Sequence, residues 1–277
     1  MATKLPAVML TYDENAHVAA NALLAYREQG LERVGVDVCW NVAWNGCEGA
    51  RALYSDMDLR SLELVRCQRD FFETAVTLLE PFRGDEWIYW CMDDRFPIEL
   101  DREAFASAAA WIGDPRSSDG VGALSLCRPW QWTCPWNARE EALRSSPQFP
   151  EGFVRRRNWS QIWLPQFVRA GVLQRFFRLL RRTYPIKALD REKHRVSLPS
   201  ELLIATKRGY ERFEESTTRG RPTPALLASL ERFGLAHHEV RAVAETSLPQ
   251  GILGIPRQYS RFGQRNLKAA LQQLLVF

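Results

Sequence analysis

The chain has 277 residues and a formal net charge of +4; 46% of its residues are hydrophobic and 25% are charged, which indicates a globular protein with a substantial core. No stretch approaches the ~18 consecutive apolar residues of a membrane-spanning helix, and the first residues lack the apolar region and cleavage site of a signal peptide. The six cysteines form no Cys-x-x-Cys pair, so we expect free, buried thiols in a reducing cytoplasm.

The first hundred residues alternate predicted strands and helices. Apolar patterning predicts strands over 7–11, 33–40 and 86–92, a helix over 17–29, and a long helix over 58–79. This β-α-β-α-β order predicts an α/β fold with a parallel, doubly wound sheet flanked by helices. In such sheets, ligands bind outside the C-terminal ends of the strands.

The later part of the chain is predicted to combine helices with strands and irregular segments. The predicted elements are a helix over 101–112, a strand over 121–127, a strand or turn over 159–163, a basic helix over 165–182, and helices over 200–213, 225–233 and 266–276.

Several widespread site motifs are absent from the sequence. It has neither a Walker-type phosphate loop nor G-x-G-x-x-G after the first strand, and it has neither G-x-S-x-G nor H-E-x-x-H. The four histidines show no ligand spacing, so a zinc or haem site is not expected. Carboxylates are therefore the remaining candidates for a chemical site.

Two adjacent aspartates, Asp93 and Asp94, follow directly after the apolar strand predicted over 86–92. Carboxylates at a strand end suit Mg²⁺ or Mn²⁺, which take few protein oxygens and complete their shell with substrate phosphates. The alternative is an ordinary exit from a strand into a loop. The position of the pair at the predicted ligand-binding edge of the sheet favours a site.

Four segments resemble those of GT-A-type nucleotide-sugar glycosyltransferases. They are LPAVMLTYDENAHVAANALLAYREQG from residue 5, DEWIYWCMDDRF from residue 85, NWSQIWLPQFVRAGVLQRFF from residue 158 and FEESTTRGRPTPALLASLERFGL from residue 213. The second contains a consecutive form of that family's Asp-x-Asp-like metal motif. The resemblance implies a GT-A, Rossmann-like catalytic domain over 1–235 with an irregular acceptor-side lobe, and a C-terminal extension over 236–277 packed on it.

The resemblance also implies roles for individual residues. Thr11 and Asp13 would approach the base and ribose of the nucleotide. Asp93 and Asp94 would approach the sugar diphosphate and its Mg²⁺ or Mn²⁺, with Asp94 preferred as the direct ligand. The segment 159–163 would form a wall of the donor-sugar or acceptor pocket, in which Trp163 is the residue expected to contact the donor.

A catalytic base that deprotonates the acceptor hydroxyl must lie within hydrogen-bond reach of it. For this role the expected residue is Glu201, with Asp190 as the second candidate. Glu201 departs from the family's commoner patterns around the base, so both the base and the stereochemistry of transfer stay open. A first-turn acid that stabilises a helix is the alternative explanation of Glu201.

The implied activity is sugar transfer from a UDP- or GDP-type donor to a glycan or lipid-linked acceptor, such as a growing surface polysaccharide. One alternative is a sugar-phosphate nucleotidyltransferase, which would normally carry a Gly-rich, basic loop after the first strand. The segment TYDENAHVAA has neither glycine nor Lys or Arg. A second alternative is a non-catalytic protein of the same fold that binds nucleotides or sugars.

Charge is divided unevenly along the chain. Residues 1–103 contain 19 acids and 10 bases, whereas residues 104–277 contain 14 acids and 27 bases. The basic helix predicted over 165–182 suggests peripheral contact with the inner membrane face; the alternative is a helix packed on the sheet with a solvated arginine edge. The acidic first part argues against a nucleic-acid partner.

Overall fold

The computed structural model describes residues 3–127, 142–143, 145–156, 162–183, 202–218 and 221–235. Within these ranges the strands are β1 (Thr3–Leu10), β2 (Val36–Trp44), β3 (Leu62–Arg66), β4 (Trp87–Met92), β5 (Arg95–Leu100), β6 (Val121–Ser125), β7 (Ala142–Leu143), β8 (Phe153–Arg156), β9 (Gln166–Arg169), β10 (Leu202–Thr206), β11 (Glu211–Glu215), β12 (Thr217–Thr218) and β13 (Arg221–Pro222). The α-helices are α1 (Ala16–Glu28), α2 (Glu48–Ser55), α3 (Phe71–Leu79), α4 (Arg102–Gly113), α5 (Ala170–Thr183) and α6 (Pro224–Arg232).

Nine of the described strands form one sheet in the order β3-β2-β1-β4-β9-β6-β10-β8-β7. Seven of them run in the same direction, while β8 and β9 run in the opposite direction. Strand β1 pairs in parallel with β2 on one side and with β4 on the other, so these strands end at the same edge. The predicted α/β fold with a mostly parallel sheet flanked by helices is confirmed.

Helices cover both faces of the sheet. On one face, α1, α2 and α4 contribute to a core cluster that includes Tyr26, Tyr89 and Phe105. On the other face, α3 and α5 contribute to a second core cluster that includes Trp90 and Phe177. Because both faces are covered, β4 is buried along nearly its whole length, which explains its continuous apolar run.

Three helices begin at residues whose side chains bind the free backbone N–H groups of the first turn. Asp70 accepts bonds from the N–H groups of the second and third residues of α3, both at 3.0 Å. Asp101 caps α4 and Thr223 caps α6 in the same manner. Such caps define where each helix starts.

The chain leaves the main sheet at the end of β4 through a tight turn, Asp93–Asp94, and enters β5. Strand β5 pairs antiparallel with β11 in a separate two-stranded sheet. The turn is therefore held between the main sheet and this second sheet.

The predicted long helix over 58–79 is wrong in its first part. Residues Leu62–Arg66 form the edge strand β3, which pairs in parallel with β2, and the helix begins only at Phe71. The strand is only half-buried, and its apolar residues Leu62 and Val65 also fit a helical spacing. The Asp70 cap marks the true start of the helix.

Two further helix predictions need correction. The basic helix predicted from residue 165 starts at Ala170, because Gln166–Arg169 forms β9 between β4 and β6. The helix predicted over 200–213 is contradicted by β10 and by the start of β11. The extension predicted over 236–277, including its helix over 266–276, lies outside the described residues.

Within the described ranges, no helix combines the length and the apolar character needed to cross a membrane.

Candidate functional site

The C-terminal edge of the strands β1, β2 and β4 brings polar residues from separate parts of the sequence together. Thr11 and Asp13 follow β1, Asn45 follows β2, and Asp93 and Asp94 follow β4. These strands are neighbours in the sheet and parallel, so their exits converge. The edge is the place at which an α/β sheet binds ligands.

Asp93 is a buried carboxylate at this edge, with 6% of its surface exposed. Its Oδ2 accepts a 2.8 Å hydrogen bond from the Thr11 hydroxyl. Burial and the charge of Asp94 raise the pKa of Asp93 to about 7, although hydrogen bonds from Thr11 and Asn15 act in the opposite direction. A positive charge that binds beside such a carboxyl would stabilise its ionised form and lower its pKa.

Asp94 is more exposed, and its backbone is fixed from two sides. Its carbonyl oxygen accepts hydrogen bonds from the Ser216 N–H at 2.9 Å and from the Arg95 guanidinium at 3.1 Å. Arg95 also lies 3.5 Å from the Asp94 carboxylate and forms a 2.9 Å ion pair with Glu215 on β11. The side chain of Asp94 is 34% exposed, so it remains partly accessible from solvent although its Oδ1 atom is shielded.

Asp13 joins the loops that follow β1 and β2. Its Oδ1 accepts a bond from the Asn45 N–H at 2.9 Å, and its Oδ2 accepts one from the Cys47 N–H at 2.7 Å. The Asp13 N–H in turn donates to the Asn45 side-chain oxygen at 3.2 Å. Both carboxylate oxygens of Asp13 thus link the loop after β1 to the loop after β2 at the predicted nucleotide-binding edge.

Two tyrosines outside the predicted set of site residues also lie here. Burial is the main cause that raises the pKa of Tyr12 to about 12, with the charges of Asp70 and Asp93 adding to it. Tyr54, on α2, is 2% exposed, and burial together with the charges of Asp93 and Asp13 raises its pKa well above the ordinary value. Tyr12 could have been found from its place between two assigned residues, whereas Tyr54 carries no local signal.

Trp163 lies at the same edge of the sheet, just before β9. It is partly buried, and its ring contacts that of Phe71, the first residue of α3, with 5.8 Å between the ring centroids. The Trp90 indole donates a 3.0 Å bond to the carbonyl of the preceding residue, Ile162. The rest of the expected pocket wall, residues 159–161, lies outside the described residues.

The structure brings together Thr11, Asp13, Asp93 and Asp94, with Trp163 at the same edge. The two candidates for the catalytic base, Glu201 and Asp190, lie outside the described residues.

The described residues contain no group of three or more His, Cys, Asp or Glu side chains arranged to hold a metal ion. The candidate metal ligands at the edge are the two adjacent carboxylates of Asp93 and Asp94. Their mutual repulsion, which contributes to the raised pKa of Asp93, would be relieved by a cation. Two carboxylates fit Mg²⁺ or Mn²⁺ where substrate oxygens and water supply the other ligands.

No family model matches the sequence, and no curated protein matches it. Among solved structures, a 4-diphosphocytidyl-2C-methyl-D-erythritol synthase is similar over 83% of this chain and 98% of its own, with 16% identity and a TM-score of 0.44. An active-site mutant of LgtC, and the galactosyltransferase LgtC in complex with donor and acceptor sugar analogues, are similar over 87% of this chain and 98% of theirs. Both are 8% identical to this chain, with TM-scores of 0.42 and 0.40.

Proposed function

We propose that this protein is a glycosyltransferase that moves a sugar from a nucleotide-diphosphate donor to a hydroxyl group of a glycan or lipid-linked acceptor. The observation that carries the proposal is the turn Asp93–Asp94, in which a buried and an accessible carboxylate lie side by side at the ligand-binding edge of the sheet. The resemblance of four sequence segments to GT-A enzymes supplies the reaction type.

In this proposal, Asp93 and Asp94 hold a Mg²⁺ or Mn²⁺ ion against the donor. A divalent ion, when bound, neutralises negative charge on the departing diphosphate. The two carboxylates are already positioned before a ligand binds. Thr11 orients Asp93, and Arg95 together with β11 fixes the backbone of Asp94. Preorganised groups of this kind cost little reorganisation during the reaction.

The nucleotide is proposed to lie over the ends of β1 and β2. There Asp13 acts through the loops that it fixes, because both of its carboxylate oxygens are engaged by backbone N–H groups. Trp163 is proposed to form part of the sugar pocket. Glu201, or Asp190 in its place, is proposed as the base that takes the proton of the acceptor hydroxyl.

A thermal-shift screen with UDP-, GDP-, CMP- and dTDP-sugars, with and without Mn²⁺, tests the proposal. One nucleotide sugar is expected to raise the melting temperature in a Mn²⁺-dependent manner, because a ligand that binds the folded state stabilises it. Asp94→Asn should abolish the Mn²⁺-dependent part of the shift. Asp119→Asn, at an exposed turn away from the edge, is the matched control and should keep it.

The outcomes separate the proposal from its alternatives. Release of free nucleoside diphosphate on addition of an acceptor supports sugar transfer. Release of pyrophosphate from a nucleoside triphosphate and a sugar phosphate would instead identify a nucleotidyltransferase. Binding without either reaction would identify a non-catalytic protein, and the lack of any shift would refute the donor site.

A peripheral contact with anionic lipid is also proposed, through the arginines of α5. The apolar face of this helix packs in the second core cluster, so it does not face solvent. Arg175, Arg178 and Arg181 are exposed, as is Leu179 at 39%. The contact would therefore be electrostatic rather than insertive.

A further inference from the structure

Arg156, the last residue of β8, has a buried guanidinium group. The residue is 7% exposed and pairs with Leu203 of β10, so its side chain lies on the face of the second core cluster. Within the described part of the chain, its Nε and Nη2 atoms are shielded from solvent and have no hydrogen-bond partner. A buried polar group normally has one, so these two atoms require an explanation.

The third nitrogen of the group is firmly held. Nη1 donates a 2.7 Å hydrogen bond to the side-chain oxygen of Gln166, and the Gln166 amide donates at 3.1 Å to the carbonyl of Leu164. Gln166 is itself 1% exposed and begins β9, where it pairs with Trp90 of β4. The orientation of the guanidinium plane is thus fixed by a buried chain of hydrogen bonds.

The two remaining donors form one edge of the planar guanidinium. Nε–H and an N–H of Nη2 point in the same direction, at a spacing that matches the two oxygens of a carboxylate or phosphate. Burial lowers the pKa of Arg156 to about 10, so the group remains charged at neutral pH. No ion pair of Arg156 with a carboxylate is found among the described residues, and an unpaired buried charge is strongly unfavourable.

The geometry points to Arg156 as a bidentate binding site for an oxyanion, a phosphate or carboxylate group, on a ligand. In the sheet, β8 and β9 lie on the opposite side of β4 from β1 and β2, over which the nucleotide is proposed to bind. We therefore assign the oxyanion to the acceptor, an assignment that rests on the function proposed above. The acceptor would then be an acidic sugar or a phosphate-bearing glycan or lipid.

Shielding has two consequences for such a ligand. An anion that reaches Nε and Nη2 must displace the side chains that cover them. Once there, it would be largely desolvated, so the charge-assisted hydrogen bonds would be stronger than at the surface. Lysine could not replace arginine, because an ammonium group offers no planar pair of donors.

The test compares the full chain with Arg156→Met and Arg156→Lys by thermal shift and titration calorimetry, with inorganic phosphate, glucuronate and UDP as probes. Phosphate or glucuronate is expected to stabilise the wild type and to bind both variants about tenfold more weakly or worse. Arg155→Met, the exposed neighbour on the other face of β8, is the matched control and should respond as the wild type does. The active anion tells whether the site takes phosphate or carboxylate.

Stability without ligand gives a second readout. Arg156→Met should be at least as stable as the wild type, because it removes a buried charge that has no counter-ion. Equal anion responses in wild type and variants, or no response in the wild type, would overturn the inference. Loss of the UDP response in Arg156→Met would overturn the acceptor assignment. If no nucleotide sugar stabilises the wild type but the response to phosphate or glucuronate is intact, only the proposed function would be overturned.

Discussion

Glu211, the first residue of β11, is a carboxyl group enclosed in the protein interior at 3% exposure. Its Oε1 accepts a 3.0 Å hydrogen bond from the Tyr89 hydroxyl. Burial raises the pKa of Glu211 from 4.5 to about 8, so the group is largely neutral in the folded protein at pH 7. Between these two values the folded state holds a proton that the unfolded state releases, so stability is lost as pH rises through this window.

Glu211→Gln, a neutral isostere, should remove that part of the pH dependence. Urea unfolding from about pH 5 to about pH 9 should show that the wild type loses on the order of 2 kcal/mol more than the variant. Asp93, whose raised pKa acts in the same direction, contributes equally to both proteins. Glu214→Gln on the same strand is the control and should keep the wild-type slope; equal slopes for all three proteins would contradict the assignment.

The residues of the site were predictable where they follow an apolar run. Asp93 and Asp94 end the clearest strand of the sequence, and the β-α-β order was enough to place them beside Thr11. Asn45 was missed because the second strand was predicted to end at residue 40, whereas β2 continues to Trp44. Arg156 could not be assigned, because its burial depends on the pairing of β8 with a strand nearly fifty residues later.

At the level of elements, helices with local signals were predicted well and strands with distant partners were not. The Ala-rich segment over 101–112 predicts helix α4 within a residue of its bounds, and Asp101 caps its first turn. The sequence pattern predicts helix where the structure has β9 and β10, since a short apolar run fits either structure and the pairing partner decides. For β9 those partners are β4 and β6, which lie more than forty residues earlier.

The junction of β9 and α5 depends on a close approach of two glycines. The Gly171 N–H donates to the Gly84 carbonyl oxygen at 3.0 Å, and a Cβ on Gly171 would lie 2.7 Å from that oxygen and 2.8 Å from the Gly84 Cα. Both contacts are with backbone atoms, which have little room to move. The start of α5 is thereby fixed against the loop before β4.

Gly171→Ala should therefore destabilise the protein by about 2 kcal/mol or more, as strain in a packed region does. Denaturant unfolding measures this loss. Gly113→Ala at the end of α4, where a Cβ would meet nothing within 4 Å, is the control and should be neutral or slightly stabilising. Similar stabilities of the two variants would show that the backbone of the β9–α5 junction can shift to accommodate the added methyl group.

In the whole molecule, the uneven charge of the sequence follows the architecture. The acid-rich residues 1–103 include β1–β5, whereas the base-rich remainder includes β9 and α5. Along the chain, the positive charge therefore lies mainly in the portion that includes α5, whose Arg175, Arg178 and Arg181 are exposed. Exposed arginines on one helix favour its orientation toward an anionic surface.

Vesicle flotation tests this consequence. The protein should float with vesicles that contain phosphatidylserine at low ionic strength and should be released by salt. Arg175→Gln with Arg178→Gln should weaken binding roughly thirtyfold, at about 1 kcal/mol for each arginine. Arg33→Gln with Arg51→Gln removes the same charge from exposed positions in the acidic part and should have less effect; equal loss in both would point to net charge alone.

The reversed direction of β9 affects where ligands can lie along the C-terminal edge of the sheet. Because β9 runs against β4 and β6, it begins where they end, and the segment leading into it stands between their exits. Trp163 belongs to that segment. Residues 162–165 therefore separate the C-terminal end of β4 from that of β6, so a ligand over β1, β2 and β4 would lie on one side of Trp163 and a ligand over β6 and β10 on the other.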